Sequence, residues 1–141
     1  MQVRNIWKEA PAPLELHEDA RGRIVDVFYH QQIEHVAVID SNKGALRGNH
    51  YHKATVQHML MTKGAMEYWY RPLDSNEPAR HIVVREGDLV STPPLEVHAL
   101  HILEDGTQFV VFSAGLRGGK DYESDTYRVD SIFPKSYHEK K

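Results

Sequence analysis

Short runs in which β-branched or aromatic residues alternate with polar ones recur along the chain, and each run ends in a cluster of turn residues. Residues 23–29 (RIVDVFY) follow an Asp-Ala-Arg-Gly turn, and residues 34–40 (EHVAVID) stop at Ser41-Asn42-Lys43-Gly44. The pattern continues through residues 45–52, 55–62, 65–71, 80–85, 88–92, 97–103 and 107–113. Lys63-Gly64, the stretch from Pro72 to Pro78, Glu86-Gly87, Pro93-Pro94 and Asp105-Gly106 separate them. A period of two puts successive side chains on opposite faces of a strand, and β-branched and aromatic residues suit such half-buried surfaces. About nine strands at this spacing, with no long helical period, predict an all-β sandwich or closed barrel.

No internal repeat, low-complexity tract or linker divides the chain, so residues 1–141 read as one domain. Residues 1–20, with Ala10-Pro11-Ala12-Pro13, predict an extended arm, residues 21–115 the barrel, and residues 116–141 a C-terminal segment. Within the last part, the glycine-rich and charged residues 115–127 predict a loop across the barrel rim, and the polar residues 136–141 a frayed tail. A chain of 141 residues buries roughly 68% of its unfolded surface, enough for a true core.

Composition narrows the chemistry. The net charge is -3 with acids and bases scattered, so no basic stripe for nucleic acid exists. The absence of cysteine excludes disulfides and thiolate metal sites. No run approaches the ~18 apolar residues of a membrane span, and the start lacks the apolar core of a secretory signal, so a cytoplasmic setting is expected. Ten histidines are the compositional oddity.

Four residues of those types share a plausible geometry. His50 and His52 lie two apart on a predicted strand and so project to one face. Gln57 follows a short polar turn and is expected to return on the adjacent strand, facing that pair. His98, after the Pro93-Pro94 bend, supplies a fourth group from the second half of the barrel. Such a cluster suits a divalent metal or the polarisation of a small molecule. Taken singly, His35, His58, His81 and His101 read as polar core residues with satisfied partners, and His17, His30 and His138 as surface residues.

The spacing carries a resemblance. Gly44-x5-His50-x-His52-x4-Gln57-x6-Gly64 and Gly87-x5-Pro93-x-Leu95-x2-His98-x3-Ile102 resemble the two-part cupin signature, with Gln57, Leu95 and Ile102 where that signature has Glu, Gly and Asn. The resemblance implies the cupin double-stranded β-helix, a jelly-roll barrel, often paired as a homodimer. The run Arg47-Gly48-Asn49-His50-Tyr51-His52-Lys53 resembles the L-R-G-x-H-Y/F motif of dTDP-4-dehydrorhamnose 3,5-epimerases and the R-G-x-H-A-H-K motif of dTDP-sugar 3,4-ketoisomerases, which carry Gln at the place of Gln57. It is most similar to the C-terminal cupin of capsular-polysaccharide nucleotide-sugar enzymes, which also has a motif like Asp125-Thr126-Tyr127. Asp19-Ala20-Arg21-Gly22 is similar to the D-x-R-G segment of the same cupins.

These resemblances imply epimerisation or isomerisation beside the ketone of a 4-keto-6-deoxy nucleotide sugar, in polysaccharide or deoxysugar biosynthesis. His50 matches the base that removes the proton next to the carbonyl, and His52 the second histidine of the ketoisomerase motif. Arg47 matches the arginine that contacts the anionic part of the substrate. Lys53 and His98 are further candidates for binding it. Tyr68 and Tyr70, two apart on the next strand, are candidates to return the proton or to stack on the nucleotide base, with core packing as the alternative.

Two chemistries stay open. His50, His52, Gln57 and His98 could hold zinc, iron, nickel or manganese, as the zinc-containing capsular cupin does with Glu in place of Gln57. Without metal, three clustered imidazoles disfavour one another's protonation, and a neutral histidine is a competent base. A metal-dependent dioxygenase or cyclase, or a cupin that binds a ligand without turnover, are the competing functions.

Overall fold

The computed structural model describes residues 1–115 and 124–138. Twelve strands occur among them: β1 (Gln2–Asn5), β2 (Leu16–Asp19), β3 (Gly22–Val25), β4 (His35–Ser41), β5 (Leu46–Tyr51), β6 (Val56–Lys63), β7 (Ala65–Pro72), β8 (Arg80–Arg85), β9 (Asp88–Thr92), β10 (Glu96–Ile102), β11 (Thr107–Ala114) and β12 (Tyr127–Arg128). They form two five-stranded antiparallel sheets, ordered β1-β9-β6-β11-β4 and β12-β5-β10-β7-β8, with β2-β3 as a separate hairpin. From β4 onward the chain crosses between the sheets at almost every turn, which is the jelly-roll arrangement. No helix among the described residues is long and apolar enough to cross a membrane.

Alternation along the strands decides what fills the barrel. In β11, Thr107, Phe109, Val111 and Ser113 are buried while the residues between them are half-buried. Phe109 and Val111 join Met59, Met61, Met66, Tyr68, Val90 and Leu100 in the central core. Each such side chain contributes up to roughly 1.5–3 kcal/mol through removal from water. A second cluster lies on the outer face of the β5-containing sheet, where Trp69 and Ala99 are covered by Phe133 and Tyr137. Beneath it, Glu67 accepts hydrogen bonds from His101 Nδ1 (2.9 Å), Tyr137 (2.7 Å) and Trp69 Nε1 (3.1 Å).

Strands β8 and β9 have the bounds expected from sequence, and the other predicted strands from residue 34 onward differ by one residue at one or both ends. The first run departs more. It pairs only to Val25, because the Val27 carbonyl accepts from Arg4 (2.9 Å) and the Phe28 ring packs against His58 and Phe112. The predicted arm contains β1, which pairs with β9, and β2. Part of the expected frayed tail forms a 3₁₀ turn, Lys135–His138, pinned by Tyr137. The loop predicted for residues 115–127 lies mostly outside the described residues.

Leu95 stands where the cupin signature has glycine, and its φ is 67°, in the left-handed region. That conformation costs an L-residue roughly 1–2 kcal/mol, against roughly 0.5–1 kcal/mol of extra chain entropy for glycine. The side chain is 51% exposed, so it contributes little burial. Leu95→Gly is therefore expected to stabilise the fold by about 0.5–1 kcal/mol, read as a Tm rise of about 2–4 °C in thermal unfolding.

Candidate functional site

A bulge aims the site. In the pairing of β5 with β10, Arg47 lies opposite Leu100, Gly48 opposite Ala99 and His50 opposite His98, so Asn49 is an extra residue. Three residues apart on a regular strand, Arg47 and His50 would point to opposite faces. The inserted residue turns both toward the same cavity, where Arg47 stays exposed. Gly48 (φ 91°) and Asn49 (φ 60°) supply the left-handed backbone that this needs, and Asn is among the residues that tolerate it.

Arg47 and His50 line a partly open cavity of about 150 Å³ between the two sheets. Its polar end carries His35, His50, Gln57 and His98, with Arg47 on the wall. Its other end is made by Ala37, Ile39, Met59, Leu100, Phe109 and Val111. The division follows the cross-strand rows: His35, Ser113 and Gln57 are register partners across β4, β11 and β6, and the next row inward is Ala37, Val111 and Met59.

His50, His52 and His98 form a compact trio. Their ring centroids stand 4.7 Å apart for His50 and His98, 5.0 Å for His50 and His52, and 5.3 Å for His52 and His98. One nitrogen of each ring lies within 4.8 Å of the others. His52 and His98 are buried. The Nδ1 of His52 donates to the Asp125 carbonyl (2.7 Å) and that of His98 to the Glu96 carbonyl (3.1 Å). A carbonyl only accepts, so Nδ1 carries a proton in both rings, and in the neutral form of either ring Nε2 is the nitrogen with the lone pair.

The Asp125 side chain fixes the turn that follows His52. Its Oδ1 accepts from the Lys53 amide (2.8 Å), and its Oδ2 from the amides of Ala54 (2.9 Å) and Thr55 (2.8 Å) and the Thr55 hydroxyl (2.9 Å). Burial alone would raise its pKa, but these four donors outweigh burial and hold it down at about 2. Asn49 anchors the chain beyond: its carbonyl accepts from the Val129 amide and its Oδ1 from the Ile132 amide, both at 2.9 Å.

The site residues expected from sequence separate into two groups. Arg47, His50, Gln57 and His98 line one cavity, and His52 sits in contact range of two of them. Gln57 does face the histidine pair, but from the opposite sheet and not from an adjacent strand, because β5 and β6 belong to different sheets. Tyr68, Tyr70 and Lys53 are outside the cavity lining. Tyr68 is fully buried, stacked behind the His98 ring, and its hydroxyl meets Thr92 (2.6 Å) and Glu96 (3.1 Å). Burial and the Glu96 charge push its pKa well above the ordinary tyrosine value, and its ring belongs to the central core. Tyr70 lines a separate groove with Arg71 and Pro72, and the Lys53 ammonium lies over the Tyr127 ring (4.3 Å).

Among the remaining histidines, His101 is held by Glu67, His81 stacks on Trp69, and His58 bonds Ser91 (2.7 Å) with its pKa lowered by burial and by Arg4. His35 departs from the expected satisfied core histidine. It faces the cavity, and its Nδ1 is shielded from solvent without a hydrogen-bond partner. The alternation of residues 34–40 places it on the inner face beside Ala37 and Ile39, a signal that was present in the sequence.

The family model described as "Polysaccharide biosynthesis C-terminal domain" matches residues 17–127. A search of curated protein sequences found no match. Among solved structures, the fold is shared with the 3'-monoepimerase ChmJ from Streptomyces bikiniensis, solved with dTDP-quinovose (TM-score 0.68, 18% identity, 84% of this chain and 68% of that one). A variant of the 3,4-ketoisomerase QdtA from Thermoanaerobacterium thermosaccharolyticum, solved with TDP-4-keto-6-deoxyglucose, matches with a TM-score of 0.67 at 17% identity, over 82% of this chain and 83% of its own. The capsular polysaccharide assembling protein CapF from Staphylococcus aureus matches at 0.62 and 22% identity over 84% of this chain, which spans 35% of CapF.

The Asp125 carboxylate gives a pH signature. A carboxyl that ordinarily titrates at 3.8 and is held at about 2 stabilises the fold fully above pH 4, and that stabilisation is lost as pH falls toward 2. Asp125→Asn turns an NH2 group toward several amide donors and is expected to cost about 1–3 kcal/mol at pH 7. Chemical unfolding at pH 7, 4 and 2.5 should show the wild type converging on the variant as the pH drops.

Proposed function

We propose that this chain, which belongs to the polysaccharide biosynthesis C-terminal domain family, is an epimerase or isomerase of a nucleotide-linked 4-keto-6-deoxyhexose that works by proton transfer beside the ketone. The observation that carries this reading is a single cavity that brings together His50, the Arg47 guanidinium on its wall and a set of apolar side chains. ChmJ and QdtA, proteins of the same fold, are solved with 6-deoxy sugars on a TDP carrier, which supports a substrate of that class.

A hydrogen beside a ketone is acidic enough for imidazole to remove once the enolate is stabilised. His50 takes the proton. The Arg47 guanidinium, already oriented by its Nε bond to Ser41 (2.9 Å), puts positive charge at the wall toward the anionic part of the substrate. The cavity is comparable to a cavity of roughly 150 Å³ that holds a single six-membered ring, so it takes the sugar and leaves the nucleotide at the mouth. The apolar end suits the methyl group that distinguishes a 6-deoxy sugar. A hydroxyl placed there would lose its water without gaining a partner.

A second reading is favoured by the histidine trio. The Nε2 lone pairs of His52 and His98, with His50 and the Gln57 amide oxygen, would hold a zinc, iron, nickel or manganese ion. Such an ion would polarise the substrate carbonyl. Elemental analysis of untagged protein should return about one equivalent per chain on this reading, falling with His98→Ala, and no metal on the acid–base reading. A homodimer, as in many cupins, is the proposed assembly, and the open edge of β4 leaves room for it.

The acid–base reading expects deuterium from heavy water to enter the carbon beside the ketone of TDP- or UDP-linked 4-keto-6-deoxyglucose, followed by NMR. His50→Asn should slow this by about 10²–10⁴-fold. A 6-hydroxy analogue should react about 10- to 100-fold less efficiently. Absence of exchange with every such sugar would discard the proposal.

A further inference from the structure

We propose that His35 is a second acid–base group, facing His50 across the cavity, so that a proton removed from one face of the sugar is replaced on the other. The inference rests on the keto-sugar reading and deepens it, because it makes the reaction an inversion at carbon and the protein an epimerase. His50 comes from β5 and His35 from β4, strands of opposite sheets, and both line the same cavity. A ring bound between the sheets presents one face to each.

Three observations support a working role for His35. Its Nδ1 is buried without a partner, and so is the hydroxyl of Ser113, its register partner on β11. Orphaned polar atoms of this kind cost roughly 1–3 kcal/mol each, and an apolar side chain at either position would avoid the cost. The inward row one step further along is apolar, with Ala37, Val111 and Met59, so on these strands the polar inward positions are at the level of His35, Ser113 and Gln57. Finally, Tyr68, one of two candidates for proton return, is packed behind His98 with its hydroxyl engaged. The cavity therefore needs another donor, and His35 is a titratable group on the wall opposite His50.

The steps balance without a co-reactant. The neutral His50 imidazole forms an N–H bond as the substrate C–H bond breaks, and the electron pair of that bond moves onto the ketone as an enolate. The enolate collapses and forms a new C–H bond on the opposite face as the N–H bond of the His35 imidazolium breaks. His50 ends protonated and His35 neutral, and exchange with water restores both.

The test uses TDP-4-keto-6-deoxyglucose in heavy water with the wild type, H35Q and H35N, each confirmed as folded by thermal melting. NMR reads the ratio of deuterium in recovered starting sugar to inverted product. Loss of His35 leaves His50 to return the proton to the face it came from, so this ratio should rise at least 10-fold in both variants. A ratio that stays at the wild-type value, with exchange and inversion falling together, would overturn the assignment. A measurement on the wild type alone covers the case in which the variants do not fold. Substrate deuterated beside the ketone, turned over in ordinary water to low conversion, should give inverted product without the label. Label carried into the product means that one group both removes and returns the proton, and the inference fails. If the wild type exchanges no sugar at all, the keto-sugar reading itself has failed; exchange with no dependence on His35 rejects only the second base.

Discussion

The site depends on one close approach of backbone. A Cβ on Gly48 would lie 2.8 Å from the carbonyl oxygen of His98, so only glycine lets β5 run past β10 at this distance. Because it does, the rings of His50 and His98 meet edge to face in the barrel interior. The same crossing forces Asn49 out of the ladder, and the extra residue turns Arg47 and His50 to the same side. The displaced Asn49 then offers its carbonyl and side-chain oxygen to Val129 and Ile132, so the crossing also fixes the course of the C-terminal segment. Any side chain at position 48 would disturb all of these together.

The C-terminal segment closes the circuit through Asp125. Its carboxylate is occupied by the turn at 53–55, and its carbonyl by His52. The division matters for the chemistry. A carboxylate on His52 would raise the basicity of that ring, whereas a carbonyl fixes the tautomer with only a dipole. His98 is oriented in the same way by the carbonyl of Glu96, two residues before it on the same strand. Both rings are thus set in place without negative charge being brought to the cavity.

The sequence disclosed more of the site than of the arms. His50, His52, Gln57 and His98 were readable because a metal-site or base cluster in a barrel demands fixed spacing, and the strands around them alternate cleanly. β1 was hidden because Gln2–Asn5 has no apolar alternation, and its pairing with β9 depends on a strand far along the chain. Asp125 and Tyr127 read from the sequence as residues that dock the C-terminal segment on the barrel, but the motif does not say which turn the carboxylate will reach. Tyr68 takes the packing alternative for a physical reason. It does point inward, as its period-two spacing requires, but inward at that level of β7 is the packed core and not the cavity. His35 was passed over because a single histidine on an alternating strand is ordinarily a satisfied one, and only the folded barrel shows an orphaned nitrogen opposite His50.

Charge in the cavity bears on which chemistry it favours. Among the described residues that line it none is acidic, and one is arginine. Where the cupin signature has glutamate, Gln57 offers an uncharged oxygen. A divalent ion held by three imidazoles and an amide keeps its full positive charge next to Arg47, with no anion to offset their repulsion. An enolate faces the reverse situation. It develops negative charge beside Arg47, whose guanidinium is already held by Ser41, so little reorganisation of that group is needed as the proton leaves. The replacement of Glu by Gln at position 57 thus weakens the site for a cation and strengthens it for the anion of a proton-transfer reaction. Imidazoles remain as the groups that can accept and donate the proton.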